Sequence, residues 1–199
     1  MTPPTRPPGR PRSEGADRAI VEATLDLIAE HGLTGLSVEA VAARAGVGKA
    51  TIYRRWSGRD DMIADALATL NDDMPEEFPG RSLRDQMVAM LEHVGGRGTA
   101  TRSGRIFPRM MGYKKSHPEW FALFQERVLE PRRERVRRLL RSGIAAGELR
   151  SDVDVDVAAV MLFSPMIYLS VYGARGEGRV RPGQAESVVD LLLLGLAPR

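Results

Sequence analysis

The step that most narrows the fold is three residues long. Gly46-Val47-Gly48 separates two short apolar-patterned stretches, "SVEAVAARA" before it and "KATIYRRW" after it. Ser37 is a good helix N-cap, Glu39 suits the positive end of a helix, and Leu36 with Val41 has the spacing of a hydrophobic staple. These signals predict a helix from about Val38 to Ala45. Gly46 permits a tight turn, Val47 packs inward, and a short helix from about Gly48 to Arg55 follows, with Ile52 and Trp56 facing the core. Two short helices joined by a glycine turn of three or four residues make a helix-turn-helix unit, whose second helix lies in the major groove of DNA. A generic helical hairpin with exposed charge is the bland alternative.

The same stretch, "GVGKAT", invites a nucleotide-binding reading, and its spacing refuses it. A Walker loop needs Gly, four residues, then Gly-Lys and a Ser or Thr, because backbone N–H groups wrap the phosphates while the hydroxyl holds Mg²⁺. With Gly48-Lys49 as the Gly-Lys pair, the first glycine position is Ala43 and the hydroxyl position is Ala50. No hydrophobic strand precedes it, and Arg44 and its neighbours belong to a helical pattern.

Around this unit the chain reads as all-helical. Residues 1–15 are rich in Pro, Gly and Arg, a composition that does not bury enough surface to order itself, and they read as a disordered basic arm. Its Arg6, Arg10 and Arg12 suit phosphates or a minor groove, and equally suit a solubilising tail. Ile20, Ala23, Leu27 and Ile28 give the first helix, from Ala16 to His31, which Gly32 stops. Helix four continues to about Asn71, followed by an exposed loop, "DDMPEEFPGR". Further helices are expected from Ser82 to Val94, Arg102 to Lys115 and from Pro118 onward, the last kinked or broken at Pro131. An apolar helix from Asp154 to Tyr172, interrupted by Pro165, and a final one from Gln184 to Ala197 complete the chain.

Bulk properties bound the function without naming it. The 199 residues suffice for a large and a small module, and no run of apolar residues is long enough to span a membrane. The N-terminus carries positive charge without an apolar segment behind it, so the cytoplasm is the expected compartment. A net charge of +3 is compatible with a polyanionic partner but does not establish one. The absence of cysteine removes disulfides, thiolate metal sites and cysteine nucleophiles together. His31, His93 and His117 have no partner at i+3 or i+4 and no metal-ligand cluster or Gly-x-Ser-x-Gly elbow accompanies them, so no metal, no cofactor and no catalytic residue is expected.

Over residues 16–66 the ordered series of features becomes specific. "AIVEATLDLIAEHGLTGLSVEAVAARAGVGKATIYRRWSGRDDMIADAL" resembles the TetR family of transcriptional regulators: first helix, Gly-bounded loop, Ser-capped second helix, "AGV" turn, "TIYRRW" third helix and a basic residue opening helix four. The resemblance implies an N-terminal three-helix DNA-binding head over 16–62 and a larger helical domain over 63–199 that binds ligand and dimerises. It implies that Ser37 with its helix N-terminus meets a phosphate of a double-stranded operator, and that Arg44 does so from the far end. Lys49, Ala50 and Thr51 would face base edges, and Tyr53 would donate its hydroxyl to a phosphate. Arg54 would serve groove edge or backbone, and Arg59, where the family usually has lysine, another phosphate. Gly48 departs from the family, which commonly carries a side chain there, so one contact is missing.

The larger domain offers candidates for a small-molecule effector site. Methionine and aromatic residues at helical spacing mark Met87, Met90, Phe107 and Met110 as possible lining, together with Met111, Trp120, Phe124 and Met161; the same pattern also describes ordinary core. "PRRERVRRLLR" reads either as a second nucleic-acid surface or as a solvated face paired through Glu130 and Glu134. The last helix is apolar nearly all round, and one small domain cannot bury every face of it. Val188, Leu192 and Leu196, with Val153, Val157 and Val160 of the preceding helix, are therefore the expected homodimer interface, pairing as the four-helix contact the resemblance implies. The expected function is a repressor released from a pseudo-palindromic operator by its effector. The alternatives are a constitutive DNA-binding protein with a structural C-terminal domain, and an all-helical enzyme.

Overall fold

The computed structural model describes residues 14–72, 81–95, 101–172 and 182–197, and every element among them is helical. In chain order these are α1 (Glu14–His31), α2 (Val38–Ala45), α3 (Lys49–Arg55), α4 (Arg59–Ala68), α5 (Leu83–Gly95), α6 (Arg102–Ser116), α7 (Pro118–Phe124), α8 (Glu130–Ala145), α9 (Val155–Tyr172) and α10 (Gln184–Leu196). The chain divides into two compact units between Ile63 and Ala64, inside α4. Helix α1 begins two residues before Ala16, so Glu14 and Gly15 belong to it; the rest of the expected arm lies outside the described residues, as do 73–80 of the expected loop.

The smaller unit is built on short-range signals. Ile20, Ile28, Leu33, Leu36, Val41 and Ile52 are buried, and Trp56 closes the same core. Thr24 is fully buried among them, and its hydroxyl donates to the Ile20 carbonyl at 2.8 Å, so that hydroxyl is not stranded.

In the larger unit α5, α8, α9 and α10 enclose a core that includes Met87, Leu91, Val136, Leu140, Leu162 and Val189. The approach of α5 to α8 depends on Gly143: a Cβ there would stand 2.7 Å from Leu83 Cδ2 and 3.2 Å from two atoms of Leu149. Arg84 on α5 grips Asp190 on α10 with two hydrogen bonds, of 2.6 and 2.9 Å.

Neither Pro131 nor Pro165 breaks its helix. Helix α7 is not broken at Pro131; it passes through a π-helical turn, Gln125–Leu129, directly into α8. Proline has no N–H to offer the carbonyl four residues back, and a widened turn relieves the clash of its ring. That carbonyl, of Arg127, accepts the Asn71 side-chain amide at 2.8 Å. Asn71 ends the 3-10 turn Thr69–Asn71 that follows α4. Its Oδ1 accepts from Arg132 Nε at 2.9 Å, while Arg132 Nη2 and Arg135 Nη1 donate to the carbonyls of Leu70 and Asn71. Helix α9 likewise runs unbroken through Pro165. The carbonyl that Pro165 cannot serve belongs to Met161, an exposed residue.

Candidate nucleic-acid interface and ligand cavity

The geometry of the turn follows from its glycines. Ser37 sits in extended conformation and its Oγ accepts from the Ala40 N–H at 3.1 Å, capping α2. Gly46 takes the left-handed conformation at φ 67°, the Gly46 N–H donates to Ala43 O and the Val47 N–H to Ala42 O. This Schellman closure satisfies the last carbonyls of α2 and turns the chain within three residues. Gly48 then starts α3 without a side-chain cap. With Ile52 buried beneath it, α3 leaves Lys49, Ala50, Tyr53 and Arg54 exposed and Thr51 half-buried.

Several of the cations expected to meet DNA are held by the protein itself. Lys49 Nζ pairs with Glu39 at 3.1 Å, and the carboxyl of Glu39 lies below its usual range, through its own backbone N–H first and Lys49 second. Arg44 makes a two-pronged pair with Glu30, at 3.1 and 2.8 Å, which raises its already high pKa. Arg59 donates to the Leu33 carbonyl at 2.6 Å, so in this conformation it braces the α1–α2 loop. Arg55 lies 3.6 Å from Asp17 and over the ring of Trp56. Among the described residues Arg54 has no carboxylate partner.

In the larger unit a cavity of about 270 Å³ opens between α6, α7, the π turn, α8 and α9. Its apolar wall is Phe107, Met111, Phe121, Leu129, Phe163 and Ile167, and its polar wall is Lys114, Gln125, Arg132 and Arg133.

These two sites match known sequences along most of the chain. The family described as "Bacterial regulatory proteins, tetR family" matches residues 20–66, and "Tetracyclin repressor-like, C-terminal domain" matches residues 79–192. The chain belongs to the TetR family. Among its TetR-family relatives, the HTH-type transcriptional regulator YdeS of Bacillus subtilis is 34% identical over 161 residues, 80% of each chain. The DNA-binding transcriptional repressor TetR of Mycobacteroides abscessus is 27% identical over 159 residues, 76% of this chain and 82% of that one. The crystal structure of FadR from Bacillus subtilis in complex with stearoyl-CoA shares the fold, with a TM-score of 0.70 at 19% identity, covering 90% of this chain and 98% of that one. TetR-family members are DNA-binding transcriptional regulators, so the all-helical enzyme is set aside.

The candidates named from sequence are spread unevenly over this TetR-family fold. Of the expected lining residues, Phe107 and Met111 face the cavity. Met87, Met90 and Met110 are buried in core positions, and Phe124 is buried edge-on against Phe107, 5.7 Å between ring centres. Trp120 stacks on His117 and meets Tyr113 edge-on, away from the lining. Met161 points outward from α9. Lys114 shares one helical stripe with Phe107 and Met111, a signal present in the sequence, whereas the polar wall of Gln125, Arg132 and Arg133 carries no methionine or aromatic side chain to mark it. The arginine run is mostly paired internally: Arg137 with Glu130, Glu134 and Asp156, and Arg141 with Glu134.

The expected dimer residues also divide. Leu192 and Leu196 are 7% and 9% exposed and belong to the protomer's own core, which leaves little of either side chain for a second protomer to bury. Val153 and Val188 are half-buried, while Val157 and Val160 are exposed. The outward side of α10 is instead Leu191 and Leu194, 71% and 80% exposed, and that of α9 adds Met161 and Tyr168.

Proposed function

We propose that this regulator binds a pseudo-palindromic operator as a homodimer, represses, and is released when a small molecule enters the cavity. The observation that carries the reading is the polar row Lys49, Tyr53 and Arg54 left exposed on a helix whose back, Ile52, is anchored in the core. Such a helix presents its N-terminal residues to base edges while flanking groups hold phosphates. Ser37, Arg44 and Arg59 take phosphates in this reading, with Arg44 exchanging Glu30 for DNA. No described helix is long and apolar enough to cross a membrane, in keeping with work in the cytoplasm. The repressor of Mycobacteroides abscessus supports the sign of regulation, and the acyl-CoA held by FadR supports an effector in the helical domain. Release is linkage: an effector favouring the off-DNA arrangement lowers operator affinity, typically by about 1 to 3 kcal/mol of coupling. A cavity with both apolar and charged walls favours this over a purely structural domain.

The test is to recover genomic fragments retained by the purified protein and measure gel shifts on them. Lys49→Ala should change sequence preference, and Tyr53→Phe should weaken all sequences alike. Unchanged binding in a Lys49→Ala, Tyr53→Phe, Arg54→Ala triple variant would overturn the assignment of α3.

A further inference from the structure

We infer that the cavity's occupant is an amphipathic anion, an aromatic or branched apolar body carrying one carboxylate, and that Lys114, Arg132 and Arg133 read the carboxylate. The inference rests on the reading that this cavity is the effector site and specifies its ligand chemistry. Ten residues line the cavity; three are cations and none is acidic. The ammonium of Lys114 sits over the face of Phe121, 5.8 Å from its centre, which holds the charge at the edge of the apolar wall. Arg133 faces Glu130 at 3.6 Å, a separation a tighter carboxylate partner can outcompete. A bound amine would meet three like charges beside a low-polarity wall, whereas a carboxylate gains charge-assisted hydrogen bonds there. Phe107, Phe121 and Phe163 provide the faces and edges that an aromatic body packs against. The volume, at roughly 30 Å³ per water-sized group, holds about nine such groups, the scale of a small aromatic acid.

The matched probes are 3-phenylpropionate, 3-phenylpropanamide and 3-phenylpropylamine, titrated calorimetrically into the full-length protein at fixed ionic strength. The acid should bind at least about tenfold more tightly than the isosteric amide, the size of one charge-assisted hydrogen bond, and the amine most weakly. Lys114→Gln and Arg133→Gln should each lower affinity for the acid more than for the amide and so shrink the acid's advantage; Arg132→Gln should do so too, but it also removes the bonds to Asn71 and Leu70. Met111→Trp, which fills the cavity, should abolish binding of the acid. Equal affinity for acid and amide, no binding of the acid at millimolar concentration, or acid binding that survives Met111→Trp overturns the inference. The effector reading fails separately: acid that binds with this charge preference yet leaves operator complexes intact supports the ligand class and removes the regulatory role. A neutral or cationic compound that releases operator and is blocked by Met111→Trp does the reverse.

Discussion

Replacing Leu191 and Leu194 together by arginine should convert the proposed dimer to folded monomer. Both side chains stand on the outward side of α10, 71% and 80% exposed in the protomer. Burying a leucine completely is worth about 1.5 to 3 kcal/mol, so roughly three-quarters of that, about 1 to 2 kcal/mol, remains for each to gain in an interface. Two residues on two protomers make four such terms, about 4 to 8 kcal/mol, which corresponds to a rise of roughly three to six powers of ten in the dimer dissociation constant. The protomer should keep its helix content and much of its melting temperature, because neither side chain touches the core. Leu192→Ala is the contrasting control. It removes a buried side chain and should cost about 2 to 5 kcal/mol of protomer stability. Light scattering coupled to size exclusion at tens of micromolar, with circular dichroism on the same samples, reads both quantities. A wild-type monomer, or a double-arginine variant that remains a dimer of wild-type stability, refutes the placement of the interface.

Glu39→Gln should strengthen DNA binding modestly, by less than about tenfold per head, since it releases Lys49 from an exposed, solvent-screened pair and removes an anion near the phosphates; gel shifts at two salt concentrations check it. Gly143→Ala should destabilise the larger unit by about 1 kcal/mol or more despite alanine's better helix propensity, because Leu83 and Leu149 crowd the new methyl from two sides. Gly112→Ala in α6, where nothing lies within 4 Å, should stabilise by up to about 1 kcal/mol, and urea titrations of the pair should give opposite signs. Acid should weaken the α5–α10 contact. Arg84 holds Asp190 below its usual value of 3.8, so the unfolded chain takes up that proton first, and the pair's contribution, complete above about pH 3.8, is lost as pH falls through the depressed folded value. The gap in melting temperature between wild type and Asp190→Asn should therefore shrink from pH 7 to pH 3.

The head was legible because its determinants are local. A capping serine, a staple and a left-handed glycine each act within four or five residues, so Ser37, Leu36 with Val41, and Gly46 specify α2 and its turn from sequence alone. The cavity was not legible in that way. Whether Met110 or Met111 faces it depends on how α6 rotates against its neighbours, which no single periodicity encodes. Helix α10 shows the same limit: with leucine at 191, 192, 193, 194 and 196, sequence announces surplus apolar surface without saying which side is surplus. The Arg84–Asp190 grip and the bond from Arg150 N–H to the Leu196 carbonyl help fix that rotation, and both join residues far apart in the chain. The ion pairs that occupy Arg44 and Lys49 were equally hidden, since their carboxylates come from α1 and α2.

The bond from Asn71 to the carbonyl that Pro131 cannot serve couples two distant positions of the chain. An asparagine amide is the group that can donate to the Arg127 oxygen with one end while accepting from Arg132 with the other. Aspartate has no N–H to give. Were position 131 to regain an ordinary residue, its own N–H could serve Arg127, and half of the asparagine's work would lapse. Mutations at the two sites should therefore be non-additive, with loss of Asn71 better tolerated in a Pro131→Ala background. Among descendants of a common ancestor, the two positions should drift together, a covariation that records a hydrogen bond rather than a shared ligand.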